Sequence, residues 1–154
     1  MNHSSLVGAS TPAQLEKQRV NLEEFDSIVL KNPELLVLAT ETINYLIETG
    51  TILLVSRVSY SKPFTEKSKP SIHLKLNSGI VVQSFLEDKE LQFNILPFSY
   101  GIISADMIDR FLNYLNIQPS NPATPDSFSP RLCTARSIAD KFYTIASYDL
   151  AKFL

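Results

Sequence analysis

The clearest pattern along the chain is a change of hydrophobic period at Gly50. Before it, Leu35, Leu36, Leu38, Ala39, Thr42, Ile43, Leu46 and Ile47 form a broad apolar stripe at helical spacing. Asn32-Pro33 is a helix start: asparagine can accept a hydrogen bond from a free first-turn amide, and proline loses nothing at the first helical position. Glu34 then suits the positive end of the helix dipole. Gly50 is placed to end the helix in a left-handed conformation. An earlier segment opens the same way, with Thr11 as cap, Pro12 at the first position and Gln14 at the capping-box position. Leu15, Leu22, Phe25 and Val29 give that second predicted helix a thin apolar face. Residues 1–10 are small and polar, and read as a flexible tail.

After Gly50 the period falls to two. Ile52, Leu54, Val58 and Tyr60 share one face of a predicted strand, interrupted at Ser56, while Leu53 and Val55 suggest burial of both faces near its start. Residues 61–71 hold Pro63, Pro70 and several lysines, and read as a solvated loop. A meander follows. Ile72, Leu74 and Leu76 alternate with His73 and Lys75. Asn77-Ser78-Gly79 offers a turn, 80–86 returns as a strand, and Glu87-Asp88-Lys89 offers another turn. Leu91, Phe93 and Ile95 alternate with polar neighbours until Pro97. Ser104 caps a helix whose apolar face is Met107, Ile108, Phe111, Leu112 and Leu115. Residues 117–130 carry four prolines and read as a stiff connection. Ala135, Ile138, Ala139, Phe142, Ile145 and Ala146 predict a last helix over about 132–152.

These elements predict an α+β fold: an antiparallel meander of three to four strands, with N-terminal helices and two C-terminal helices packed on one face. The domain is expected to span 11–154 behind the tail at 1–10. The polar alternates His73, Lys75, Gln92 and Asn94 fall on the other face, open to water or to a partner.

Composition supports one ordinary domain. The chain has 154 residues, 44% hydrophobic and 19% charged, too apolar for a disordered chain. A single cysteine excludes an internal disulfide. The first thirteen residues lack the basic and apolar regions of a secretory signal, and no apolar run approaches the ~20 residues of a membrane span. A cytoplasmic location is therefore expected.

The charge is −2 overall but unevenly spread. Residues 12–48 carry seven acids against three bases, whereas 57–75 carry Arg57, Lys62, Lys67, Lys69 and Lys75 against Glu66 alone. The basic stretch lies beside Tyr60, Phe64 and His73, and with Arg131 forms a candidate partner- or anion-binding set. Its plainer reading is a solvated loop whose charge protects an edge strand. Nucleic acid is disfavoured by the overall acidity.

Candidate chemistry is sparse. Two histidines and one cysteine, with no ligand spacing between them, point to no metal site and no cofactor. The four glycines are too far apart for a phosphate loop. Cys133 with His73 is the one Cys–His combination, and Cys133 reads more simply as a small apolar residue at the start of the last helix. Glu87/Asp88 and Asp106/Asp109 read as turn and helix-start residues before they read as catalytic pairs. The sequence therefore leans away from an enzyme. It favours a non-catalytic protein-interaction module, such as an adaptor, assembly factor or small chaperone-like protein, binding a protein partner or forming a homo-oligomer. The alternative is a small-ligand binder or enzyme with a pocket between sheet and helices, to which Tyr60, His73 and Tyr100 would contribute.

Overall fold

The computed structural model describes residues 32–61, 69–97, 104–121 and 129–153. The helix expected from Thr11, together with Lys62, Lys67 and Tyr100, lies outside the described residues.

Helix α1 spans Pro33–Glu48 and starts and stops where the sequence predicts. The Asn32 side chain accepts from the Leu35 amide, and Gly50 has φ of +72°. Leu35, Leu38, Ala39, Thr42, Ile43, Tyr45 and Leu46 are buried. Leu36 and Ile47, assigned above to the apolar stripe, are exposed, as is Val37. The stripe is narrower than expected: only one side of the helix joins the hydrophobic cluster.

Thr51 leads into a 3-10 turn at Ile52–Leu54, so the first strand starts later than predicted. Strands β1 (Val55–Ser61), β2 (Ser71–Leu76), β3 (Val81–Glu87) and β4 (Glu90–Leu96) form the meander. Helix α2 spans Ala105–Tyr114, with Ser104 accepting from the Met107 amide. The sheet then gains a fifth strand, β5 (Arg131–Thr134), which pairs with β4. The order is β1-β2-β3-β4-β5 and every neighbouring pair is antiparallel. The expected α+β layout holds, with a first helix, an antiparallel sheet and C-terminal helices. The strand number does not: among the described residues the sheet has five strands, not three to four.

The long last helix also needs correction. Its first residues extend as β5, and two short helices follow, α3 (Ala135–Ile138) and α4 (Phe142–Ser147), before a 3-10 turn at Leu150–Phe153. Thr134 caps α3 by accepting from the Ser137 amide. Ile138 and Phe142 lie one helical turn apart, so the core positions survive the break at 139–141.

One hydrophobic cluster joins the inward alternates Ile72, Leu74, Val82, Phe93, Ile95 and Cys133 to α1, α2, α3 and α4. Tyr45, Phe93 and Phe142 pack as three rings with centroids 5.0–5.1 Å apart. The Tyr45 hydroxyl donates to the Ala135 carbonyl at 2.9 Å, tying α1 to the start of α3. The turn between β2 and β3 meets the end of α4, where Ser78 donates from its amide to Ala146 and from its hydroxyl to Ile145. Carbonyls of a helix's last turn are thereby satisfied. Among the described residues, no helix is long and apolar enough to cross a membrane.

Candidate interaction surface

Side chains alternate across a sheet, so register determines which residues share the face turned away from the helices. One row on that face runs Ser59–His73–Gln83–Asn94–Leu132 across all five strands. A second runs Arg57–Lys75–Val81–Leu96. A third holds Phe85–Gln92–Thr134. The middle row is uncharged and partly linked: Gln83 donates to Ser71 at 2.8 Å, and Asn94 donates to Gln83 at 3.4 Å. His73 is half-buried there, with its Nε2 enclosed and unpaired. Burial lowers its pKa from the ordinary 6.5, because desolvation penalises the imidazolium.

This face is graded rather than open. Ser71, Gln92 and Leu96 are buried, whereas Arg57, Ser59 and Lys75 are exposed at the β1–β2 end. Arg57 and Lys75 are register partners, so two cations stand side by side on one face. Among the described residues, neither has a carboxylate within ion-pair distance. A β-bulge between Val55 and Arg57 sets this register, and the Ser56 hydroxyl donates to the Lys75 carbonyl. The interruption of alternation at Ser56 is the sequence trace of that bulge.

Other candidate residues are placed differently. Lys69 pairs with Glu87 at 3.8 Å, both exposed. Arg131 is not at a helix start but on β5. Its guanidinium makes two bonds to Asp109 of α2, at 2.8 and 2.7 Å, with only 12% of its side chain exposed. Tyr60 pairs in register with Ile72 and packs on the core, whereas His73 lies on the opposite face, so the sheet separates them.

The sheet separates Cys133 from His73 as well. Cys133 faces the core opposite Phe93, and burial pushes its thiol up to about 11. A thiol so held is protonated and inert at neutral pH. Asp106 pairs with Arg110, and Asp109 with Arg131. No group of three or more potential metal ligands occurs among the described residues.

Sequence reasoning missed one cleft, of about 460 Å³, beside the second half of α1. Glu41, Asn44 and Glu48 form one wall, Lys89 and Arg136 stand on the others, and Tyr45 lines it with its hydroxyl already engaged. Burial raises the Tyr45 pKa far above its ordinary value, so this phenol does not titrate in the physiological range. The helical spacing of Glu41, Asn44 and Glu48 is visible in the sequence. Their meeting with Lys89 and Arg136 depends on the hairpin and on β5. Comparison with protein-family models, curated proteins and solved structures finds no match for the chain.

Proposed function

We propose that this protein is a non-catalytic interaction module, an adaptor or assembly factor of the cytoplasm, whose protein partner seats on the β1–β2 end of the sheet. The observation that carries this reading is the exposed Arg57–Lys75 pair. Like charges directly opposite on adjacent strands weaken the sheet that holds them. A partner that brings negative charge removes that repulsion, and does so only when bound. Charge complementarity of this kind steers encounter and fixes register. A lone, buried thiol suits a reducing compartment.

The test is the native mass of the chain recovered under gentle conditions from its own cells, compared with a variant carrying Arg57→Ser and Lys75→Ser. The expected result is a defined complex heavier than the 17.3 kDa chain, lost in the double variant. A bare wild-type chain, or a complex indifferent to the substitutions, overturns the reading.

The cleft beside α1 favours a second reading, a small-ligand binder. That reading expects a monomer carrying a small extra mass, released by substitutions at Glu48 or Arg136 and not by those at Arg57.

A further inference from the structure

We propose that the cleft beside α1 binds a free basic amino acid, its two positive groups met by Glu41 and Glu48 and its carboxylate by Lys89. This rests on the small-ligand reading and names the class of ligand. The site is separate from the Arg57–Lys75 pair, which lies on the sheet face turned away from α1. Three observations carry the proposal.

The first is room with an apolar lining. The cleft holds about 460 Å³, and small-molecule sites commonly hold roughly 300–1,000 Å³. Tyr45, Leu91, Ala135 and Ala139 supply its apolar lining. The Tyr45 hydroxyl is already engaged with the Ala135 carbonyl at 2.9 Å. That lining therefore offers carbon rather than a free phenol, and suits the methylene chain of an amphipathic ligand.

The second is the balance of charge. Glu41, Glu48 and Glu90 line the cleft against Lys89 and Arg136. Glu90 and Arg136 pair with each other at 3.3 Å. Among the described residues, Glu41, Glu48 and Lys89 have no ion-pair partner. Two negative groups and one positive group are thus left over. Their complement is two positive groups and one negative, which is the charge pattern of lysine or arginine at neutral pH. A polyamine would meet both glutamates but set a cation against Lys89. A neutral amino acid would leave one glutamate unmet, and an acidic one would be repelled by both.

The third is spacing. Glu41 and Glu48 are two turns apart on one face of α1, separated along the axis by about 10.5 Å. Asn44 stands between them, its side-chain amide able to donate or accept. The two nitrogens of lysine, with a hydrogen-bond length added at each end, span that interval. The carboxylate beside the α-ammonium is then free to turn toward the hairpin that carries Lys89.

The probes are lysine and arginine, titrated into the full chain while backbone amides are followed by NMR. The expected result is saturable shifts at 41–48, 89–91 and 134–136, weakened by salt. Three trimmed analogues each remove one charge: norleucine lacks the side-chain ammonium, Nα-acetyl-lysine the α-ammonium, and cadaverine the carboxylate. Each should bind about fivefold more weakly than lysine, as should lysine to Glu48→Gln. Lys89→Gln is the most informative variant. It should weaken lysine yet strengthen cadaverine, because it removes an attraction from one and a repulsion from the other. Loss of fold cannot produce that crossing.

No saturable shift in the cleft, lysine bound no better than cadaverine or norleucine, or a Lys89→Gln chain that loses both ligands alike each overturns the proposal. Equal binding of Nα-acetyl-lysine overturns it too, and points instead to the C-terminal lysine of a peptide. If the chain from its own cells carries a small extra mass lost in Glu48→Gln, and neither probe binds, the ligand class is wrong and the small-ligand reading stands. If no small mass is carried and neither probe binds, both fall.

Discussion

Replacing Tyr45 with Phe isolates one hydrogen bond at the junction that holds the two ends of the described fold together. The ring stays, and with it the contacts to Phe93 and Phe142 at 5.0 Å. Only the hydroxyl is lost, and with it the 2.9 Å bond to the Ala135 carbonyl. A buried hydrogen bond contributes about 1 kcal/mol net, and stranding a buried acceptor raises the loss toward about 2 kcal/mol. Tyr45→Ala also empties the space between the two rings, and removal of a large buried aromatic costs about 3–5 kcal/mol. Urea unfolding followed by far-ultraviolet circular dichroism measures both, since the chain has no tryptophan to serve as a fluorescent probe. The midpoint should fall modestly for Phe and steeply for Ala, with an unchanged slope. Labelling of Cys133 gives a second readout. The thiol sits on β5, two residues before Ala135, and is reached only when this region opens. Tyr45→Phe should speed its modification. A Phe variant as stable as wild type with unaltered labelling would refute the role given to this bond, and so would one as damaged as the Ala variant.

Three further outcomes follow from the structure. Burial lowers the His73 pKa, so the folded state resists a proton that the unfolded chain accepts; stability is complete above about 6.5 and declines as pH falls from there toward the folded-state value. His73→Gln should flatten that part of a stability-versus-pH curve, and an unchanged curve would show that another group titrates. Asp88 and Lys89 both have positive φ, at 50° and 67°, in the turn between β3 and β4. Lys89→Gly should relieve that strain and stabilise the fold by about 0.5–1 kcal/mol in thermal melts, whereas destabilisation would contradict it. The Arg131–Asp109 bond pair should give a coupling of about 1 kcal/mol in a double-mutant cycle, and Lys at 131 should not restore it, because only the guanidinium forks onto both oxygens. A coupling near zero would mean that this ion pair does not help to hold β5.

Much of this fold is legible in the sequence, for local reasons. Asn32-Pro33 and Gly50 bracket α1 because cap chemistry and left-handed backbone are written in single residues. The β2, β3 and β4 strands are legible because their alternation runs long enough to repeat. β5 is not. Four residues after a proline-rich stretch are too few to show a period, and Ala135, Ile138, Phe142 and Ile145 carry helical spacing across the break. Thr134 was the available signal, a cap residue inside what reads as one helix.

The candidate surface divides in the same way. Arg57 and Lys75 are visible as charges, but their adjacency is a matter of register, fixed by a bulge in β1 and by the pairing of β1 with β2. The opposite facing of Tyr60 and His73 was implicit in their strand alternation, and the expected pocket overlooked it. The cleft beside α1 required β5, and so could not be seen without it.

The most direct test of the central claim is a hydrogen-exchange footprint of the chain in its native complex against the chain released from it. Protection concentrated at β1 and the neighbouring part of β2, around Arg57 and Lys75, is the predicted result. Protection confined to α1 and the β3–β4 hairpin, around Glu41, Glu48 and Lys89, with β1 exchanging as in the free chain, would contradict it.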